Sequence, residues 1–253
     1  MINQGNLNCL NCGSPLSGKF CDNCGQKATV HRLQVKEIVS EFLLSPFHIE
    51  NHGLPWTFLW LFTKPGEVIR KYVFGKRKLL YPAFRYLVLG GTIATIISKK
   101  YKIFHIDLEQ VEVPLLSFIE REFFVYANDN LTLFNLLSIP VFAFGTYIFF
   151  KPKGFNYAEN LTLHAYITAQ QLWTLIIIFP FLQFFPQAKG TILQVYSGLT
   201  TLYSFYVIMN FFKMRNVLGF TLMILTLIYS YLFQFAVTYG FYALFGQSVS
   251  LSH

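Results

Sequence analysis

Five long apolar runs lie within residues 80–245 of this chain, and they restrict its fold more than any other feature. Segments at roughly 80–98, 131–150, 162–185, 193–212 and 217–245 are each long enough to cross a bilayer. Lipid offers no water to a backbone N–H or C=O, so a spanning segment bonds its own polar groups as a helix or joins a closed barrel. Runs of this length predict an all-α polytopic membrane protein with about five transmembrane helices. Composition agrees. Hydrophobic residues make up 54% of the 253, aromatics 19% and charged residues only 13%, about half the charge of a soluble domain. The last run is long and has to tilt or protrude.

The other constraint lies at the opposite end. All four cysteines fall in the first 24 residues, as Cys9-Leu-Asn-Cys12 and Cys21-Asp-Asn-Cys24, each pair followed by glycine (Gly13, Gly25). Such a turn aims backbone N–H groups at the sulfurs, and glycine tolerates the positive φ it requires. Two knuckles supply four thiolates in a tetrahedron, so Cys9, Cys12, Cys21 and Cys24 are predicted ligands of one structural Zn2+. Iron accepts the same ligands, and a redox dithiol pair or a disulfide knot is the alternative. A head this small has too little apolar core to fold alone, so the metal would supply its folding free energy. Between the pairs, Gly13-Ser-Pro-Leu-Ser-Gly18-Lys19-Phe20 falls short of a phosphate-binding loop. Phe20 stands where the hydroxyl belongs, and no strand-to-helix unit fits there.

The expected division is a zinc-ribbon head at 1–28, an amphipathic and interfacial basic segment at 29–79, a transmembrane domain at 80–246 and a tail at 247–253. In the second part Val35, Ile38, Val39, Phe42 and Leu43 share one helical stripe. Residues 54–63 are very apolar but too short to span, with Trp56 and Trp60 one turn apart as an interfacial anchor would place them. A further interfacial helix is expected after Pro114. No internal repeat or low-complexity tract is visible, and the first residues lack the charged start and apolar run of a signal peptide.

The net charge is +8 with a pI near 9.3. The basic residues flank apolar runs, so headgroup contact and topology explain them before nucleic acid, which is not an expected partner. Arg70, Lys71, Lys76, Arg77, Lys78 and Arg85 are candidate anionic-headgroup contacts beside the tryptophans. With five spans, the head and the loops at 151–161 and 213–216 share the more basic side, which predicts a cytoplasmic N-terminus. The Lys99-Lys100 pair on the other side runs against this. A reducing cytoplasm also keeps paired thiolates free for metal.

Within the third run, Glu159, Asn160, His164 and Gln171 are the candidate intramembrane polar residues. They predict either interhelical hydrogen bonds or a polar cavity for a substrate or proton. His48-Ile-Glu-Asn-His52 has histidines four apart, but Gly53 and Pro55 follow at once and a loop is the better reading. No nucleophile elbow, dinucleotide fingerprint or carboxylate pair is evident, so no enzyme is expected.

The ordered motifs Cys9-x-x-Cys12-Gly13, Phe20-Cys21-x-x-Cys24-Gly25-Gln26-Lys27, Pro65-Gly66, Tyr72, Gly75-Lys76-Arg77 and Pro82 resemble the bacterial domain-of-unknown-function family 3667. The resemblance implies a short zinc ribbon ahead of several spans in the bacterial inner (cytoplasmic) membrane, and brings no activity. The functional expectation is a membrane-anchored adaptor or membrane-organising protein in the lipid bilayer, whose ribbon contacts a protein partner. A small-molecule or lipid transporter using the third run is the alternative. Oligomeric state is open.

Overall fold

The structure, a computed structural model, describes residues 8–44, 53–101 and 130–245, together with 103, 123, 126 and 127. The His48–His52 pair, the helix expected after Pro114 and the tail at 247–253 lie outside the described residues, apart from Phe123. Beyond the head, every regular element among the described residues is helical. In chain order these are α1 (Val35–Leu44), α2 (Leu54–Thr63), α3 (Pro65–Val73), α4 (Ala83–Lys100), α5 (Leu131–Phe149), α6 (Tyr157–Phe184), α7 (Lys189–Phe212) and α8 (Val217–Phe245).

Five helices thus lie within a few residues of the five expected spans. The segments ending in α6, α7 and α8 are 28, 27 and 29 residues long and apolar enough to cross a membrane. At 1.5 Å per residue each exceeds the ~30 Å hydrocarbon core. The other two are marginal alone. α4 has 18 residues and carries Arg85, Lys99 and Lys100, while α5 has 19 residues and is uncharged. α6 starts five residues earlier than its apolar run because Asn156 caps it. The Asn156 side chain accepts from the Glu159 N–H at 2.8 Å, and the Glu159 carboxylate accepts from the Asn156 N–H at 2.7 Å. This reciprocal capping box satisfies two of the donors that a helix start leaves open.

α6 is the hub, packing on α4, α5, α7 and α3. α4 runs parallel to it but beside its distal half. Tyr86 stacks on Trp173 with ring centroids 5.7 Å apart, and Tyr101 meets Phe179 at 4.7 Å. Small residues of α4, Gly90 and Gly91, form the contact surface. A Cβ on Gly90 would lie 2.8 Å from the Trp173 indole nitrogen, so glycine sets how closely α4 and α6 approach.

The α2–α3 hairpin fills the space beside the proximal half of α6. The Phe58 carbonyl accepts from Gln170, and the Leu61 carbonyl accepts from the Tyr203 hydroxyl at 3.0 Å. Gln170 is 13 residues into α6 and Tyr203 nine residues before the end of α7, about 20 Å and 14 Å along their axes. So α2 does not lie flat across the end of the bundle. It ascends along the sides of α6 and α7, with Trp56, Leu59 and Phe62 facing outward.

The expected stripe on α1 divides. Ile38 is buried while Val35 and Val39 are exposed, because α1 touches α4 and α6 along one edge only. At the turn into α3, the α7 backbone approaches Gly66 so closely that a Cβ there would lie 2.7 Å from the Phe211 nitrogen and 2.6 Å from the Asn210 Cβ. Backbone cannot yield as a flexible side chain can. Gly66→Ala is therefore expected to separate α3 from α7 and cost about 1–3 kcal/mol, read as a lower thermal midpoint in detergent. An unchanged midpoint would show that this contact is dispensable.

Candidate metal centre and its seat

Each cysteine pair folds into a small hairpin closed by one bridge, Asn8 with Pro15 and Phe20 with Lys27. The Cys9 N–H donates to Ser14 O and Gly13 N–H to Cys9 O. The Cys21 N–H donates to Gln26 O and Gly25 N–H to Cys21 O, all at 2.8 Å. The Cys21 and Gly25 bonds and the Phe20–Lys27 bridge repeat the Cys9 and Gly13 bonds and the Asn8–Pro15 bridge twelve residues earlier, so the two hairpins form a short internal repeat. Gly13 and Gly25 have φ of 80° and 70°, the left-handed conformation for which glycine is suited.

The two hairpins bring the thiols together. Cys9 Sγ lies 3.6 Å from Cys24 Sγ and Cys12 Sγ 3.5 Å from Cys21 Sγ. All four sulfurs fall within 4.8 Å of one another. A tetrahedron with metal–sulfur bonds of about 2.3 Å has sulfur–sulfur edges of about 3.8 Å, so the four thiols fit one metal ion. They are free cysteines, which leaves the disulfide-knot alternative without support. The Ser14 hydroxyl and backbone hold the Cys12 thiol down to about 6, whereas burial pushes Cys24 up to about 11 despite the Gln26 backbone N–H beside it. Binding deprotonates the thiols, so metal uptake releases protons and weakens as pH falls.

The head sits on the segment that follows α3. The buried Gln26 side chain donates to Gly75 O at 2.9 Å and accepts from the N–H groups of Arg77 and Lys78 at 3.1 and 3.2 Å. Gly75 has φ 101°, and a Cβ on it would lie 2.8 Å from Leu10 Cδ1. The Arg77 guanidinium reaches back to His31 O at 2.8 Å and lies over the Tyr72 ring. Two motifs far apart in sequence, Cys-Gly-Gln-Lys and Gly-Lys-Arg, therefore form the two halves of one joint.

A second fastening lies a few residues on. Arg32 donates to both carboxylate oxygens of Glu159 at 2.8 Å, and also to Gly154 O at 2.5 Å. Glu159 is 2% exposed, and its hydrogen bond to Arg32, with its charge in addition, holds the guanidinium above its ordinary value despite partial burial. The Asn156 amide donates to Leu33 O at 2.9 Å. The carboxylate expected as an intramembrane polar group thus ties the head's linker to the start of α6. Arg32 carries no sequence signal of its own; the Asn156-x-x-Glu159 capping pattern is the local signal that could have marked its partner.

The remaining polar candidates bond to neighbours. His164 pairs with Thr146 of α5 at 3.2 Å, and Gln171 donates to Ser204 of α7 at 2.9 Å. Asn160 donates to Asn156 O at 2.8 Å, while its buried carbonyl oxygen has no partner among the described residues. These residues share a helical face without converging, because they meet different helices at different levels. The basic candidates divide as well. Arg70 donates to Phe211 O at 2.6 Å and lies between the Phe74 and Phe155 rings, capping α7. Arg77 belongs to the joint, Lys71 pairs with Glu67, and Lys76 and Lys78 are exposed. Arg85 is half-buried in the first turn of α4.

A family model described as a protein of unknown function (DUF3667) matches residues 52–95. That segment is the α2–α3–α4 unit with the seat of the head, and it contains the Pro65-Gly66, Tyr72, Gly75-Lys76-Arg77 and Pro82 motifs. The resemblance read from these motifs therefore holds. No curated protein and no solved structure matches the chain.

Two measurements test this geometry. Protein purified under reducing conditions is expected to carry about one metal ion per chain, lost in Cys21→Ser and released progressively on acidification, by elemental analysis. Glu159→Gln is expected to destabilise the detergent-solubilised protein by about 2 kcal/mol, discounted because Arg32 stays half-exposed. An unchanged unfolding midpoint would show that the linker is held elsewhere.

Proposed function

We propose that this protein is a non-enzymatic membrane adaptor of the bacterial inner membrane, with the four-cysteine head on the cytoplasmic side and holding a structural zinc ion. The observation that carries the reading is a closed set of four thiols fastened to one end of a membrane bundle. Both fastenings, Gln26 on the Gly75–Lys78 backbone and Arg32 on Glu159, hold the head by its inner side. The segment joining its two hairpins, from Ser17 to Phe20, is exposed, with Phe20 at 54%. A rigid head with an exposed apolar tip suits partner recognition, and four thiolates leave a metal no open position for substrate.

Zinc is preferred because a tetrahedral all-thiolate set needs no redox change and matches the dimensions of a structural zinc site. The cytoplasmic assignment draws on the charge distribution. Lys64, Arg70, Lys71, Lys76, Arg77, Lys78, Lys151, Lys153, Lys213 and Arg215 gather at the head end, against Lys99, Lys100 and Lys189 at the other among the described residues. The transporter reading gains no comparable support, because His164 and Gln171 are taken up by bonds between helices.

The reading predicts one discrete cross-linked adduct in cells when a photoreactive residue replaces Phe20 in the full chain, and its loss when Cys21→Ser is added. A reactive residue at Phe184, on the far end, should give no such adduct. Equal yields at both positions, or none at Phe20, would overturn the adaptor. Reporter tags at the two termini are expected on opposite sides of the membrane, the N-terminal one inside; tags on the same side would remove a span.

A further inference from the structure

At the head end, an open groove of about 1010 Å³ runs between Leu10 of the head, the first turns of α3 and the end of α7. Its wall holds six basic side chains, Lys64, Arg70, Lys71, Lys76, Lys213 and Arg215, and one acid, Glu67. Three of the six have partners. Arg70 caps Phe211 O, Lys71 meets Glu67 at 2.6 Å and Arg215 donates to Asn210 Oδ1 at 3.1 Å. Among the described residues, Lys64, Lys76 and Lys213 form no ion pair. The Glu67 carboxyl is held below its usual range by Lys71 first and by Lys64 and Lys213 in addition, so these cations converge on one place.

Two further features point the same way. Lys213 ends α7 at φ 52°, the only non-glycine residue with positive φ among the described residues. Glycine or asparagine is the usual occupant of that position, and here a lysine is held there with its side chain on the groove. The N-terminus of α3, opened by Pro65, also borders the groove, and no side chain caps it, which adds outward N–H groups and the positive end of a helix dipole.

The groove is not wholly polar. Phe74 and Tyr206, each about half exposed, line it with Leu10. α2, which ends directly at Lys64, presents Trp56, Leu59 and Phe62 outward along the bundle. A ligand fitting both parts has a phosphate group and an apolar body. We propose that this groove is a binding site for the phosphodiester headgroup of an anionic glycerophospholipid, held by Lys64, Lys76 and Lys213. The site differs from the basic run read in the sequence. Lys64 and Lys213 enter it through tertiary packing, and Arg77 leaves it for the joint with the head. It requires only that the bundle lies in a bilayer, and it stands apart from the adaptor reading, whose Phe20 cross-link does not involve these lysines.

The test uses the full chain in detergent micelles, titrated with phosphatidylglycerol or phosphatidylcholine of the same acyl chains and read by native mass spectrometry. Phosphatidylglycerol is expected to bind at least about tenfold more tightly. The combined Lys64→Gln, Lys76→Gln and Lys213→Asn variant should bring the two lipids within about twofold, since asparagine tolerates the left-handed backbone. Lys64→Arg with Lys76→Arg should keep the preference, and metal content should not change. If the triple variant does not fold, Lys64→Gln and Lys76→Gln singly carry the test, each weakening phosphatidylglycerol about threefold. No preference in the native chain, or a preference unaltered in the variants, overturns the proposal. Displacement of phosphatidylglycerol by an equal concentration of inorganic phosphate assigns the groove to the free anion and overturns the lipid.

Discussion

One carboxylate, Glu159, joins the parts of this molecule. It closes the capping box that starts α6, and it receives both arms of the Arg32 guanidinium from the segment leading out of the head. Such a buried acid would be costly alone, because burial disfavours its charge. Here an arginine fork and a backbone N–H satisfy it, and Asn156 completes the arrangement through Leu33 O. The central helix therefore begins where the head's linker is fastened. Changing one end disturbs the other.

The family-matched segment is built around the same demand for close approach. Gly66 admits the α7 backbone, Gly75 admits Leu10 of the head, and Gly90 admits Trp173 of α6. Between them Tyr72 meets the Tyr166 ring at 5.4 Å, and the Tyr166 hydroxyl donates to Tyr81 O at 2.8 Å. Glycines set the distances, while tyrosine and glutamine hydroxyls and amides satisfy carbonyls where the chain leaves regular helix. This is how a ten-residue α2 can sit against the membrane helices without crossing. The Leu61 carbonyl, which Pro65 four residues on leaves without an intrahelical donor, receives the Tyr203 hydroxyl of α7, and an unpaired carbonyl in lipid would cost several kcal/mol.

Metal centre and groove share this foundation. Gln26 on the Gly75–Lys78 backbone, together with Arg32 on Glu159, holds the head in place, and Leu10 of the head lines the groove. If a metal is bound at the four thiols, its loss would therefore reach beyond the cysteines. Folding free energy that a metal would supply at the thiols would pass to the head end of the bundle through a few directional hydrogen bonds and one ion pair.

The sequence alone determined the features that depend on local chemistry. Apolar length predicted the helices, because an unbroken apolar run of this length in lipid satisfies its own backbone only as a helix. Cysteine spacing with Gly13 and Gly25 predicted the four-thiol cluster, because a knuckle is closed by its own turn. The capping box at Asn156 and Glu159 is equally local, although the apolar run alone placed the start of this helix near residue 162. Tertiary structure alone decided which distant residues became partners. Arg32 lies 127 residues from Glu159, Gln26 about 50 from its seat, and Lys64 is brought beside Lys213 by the approach of α3 to α7. Nothing in the spacing of a polar residue records a partner across the bundle. For the same reason, the basic run at 70–78 looked uniform in sequence and is divided in the fold. Each arginine is drawn inward by a carbonyl it can fork to, and Lys76 and Lys78, with a single flexible charge each, stay at the surface.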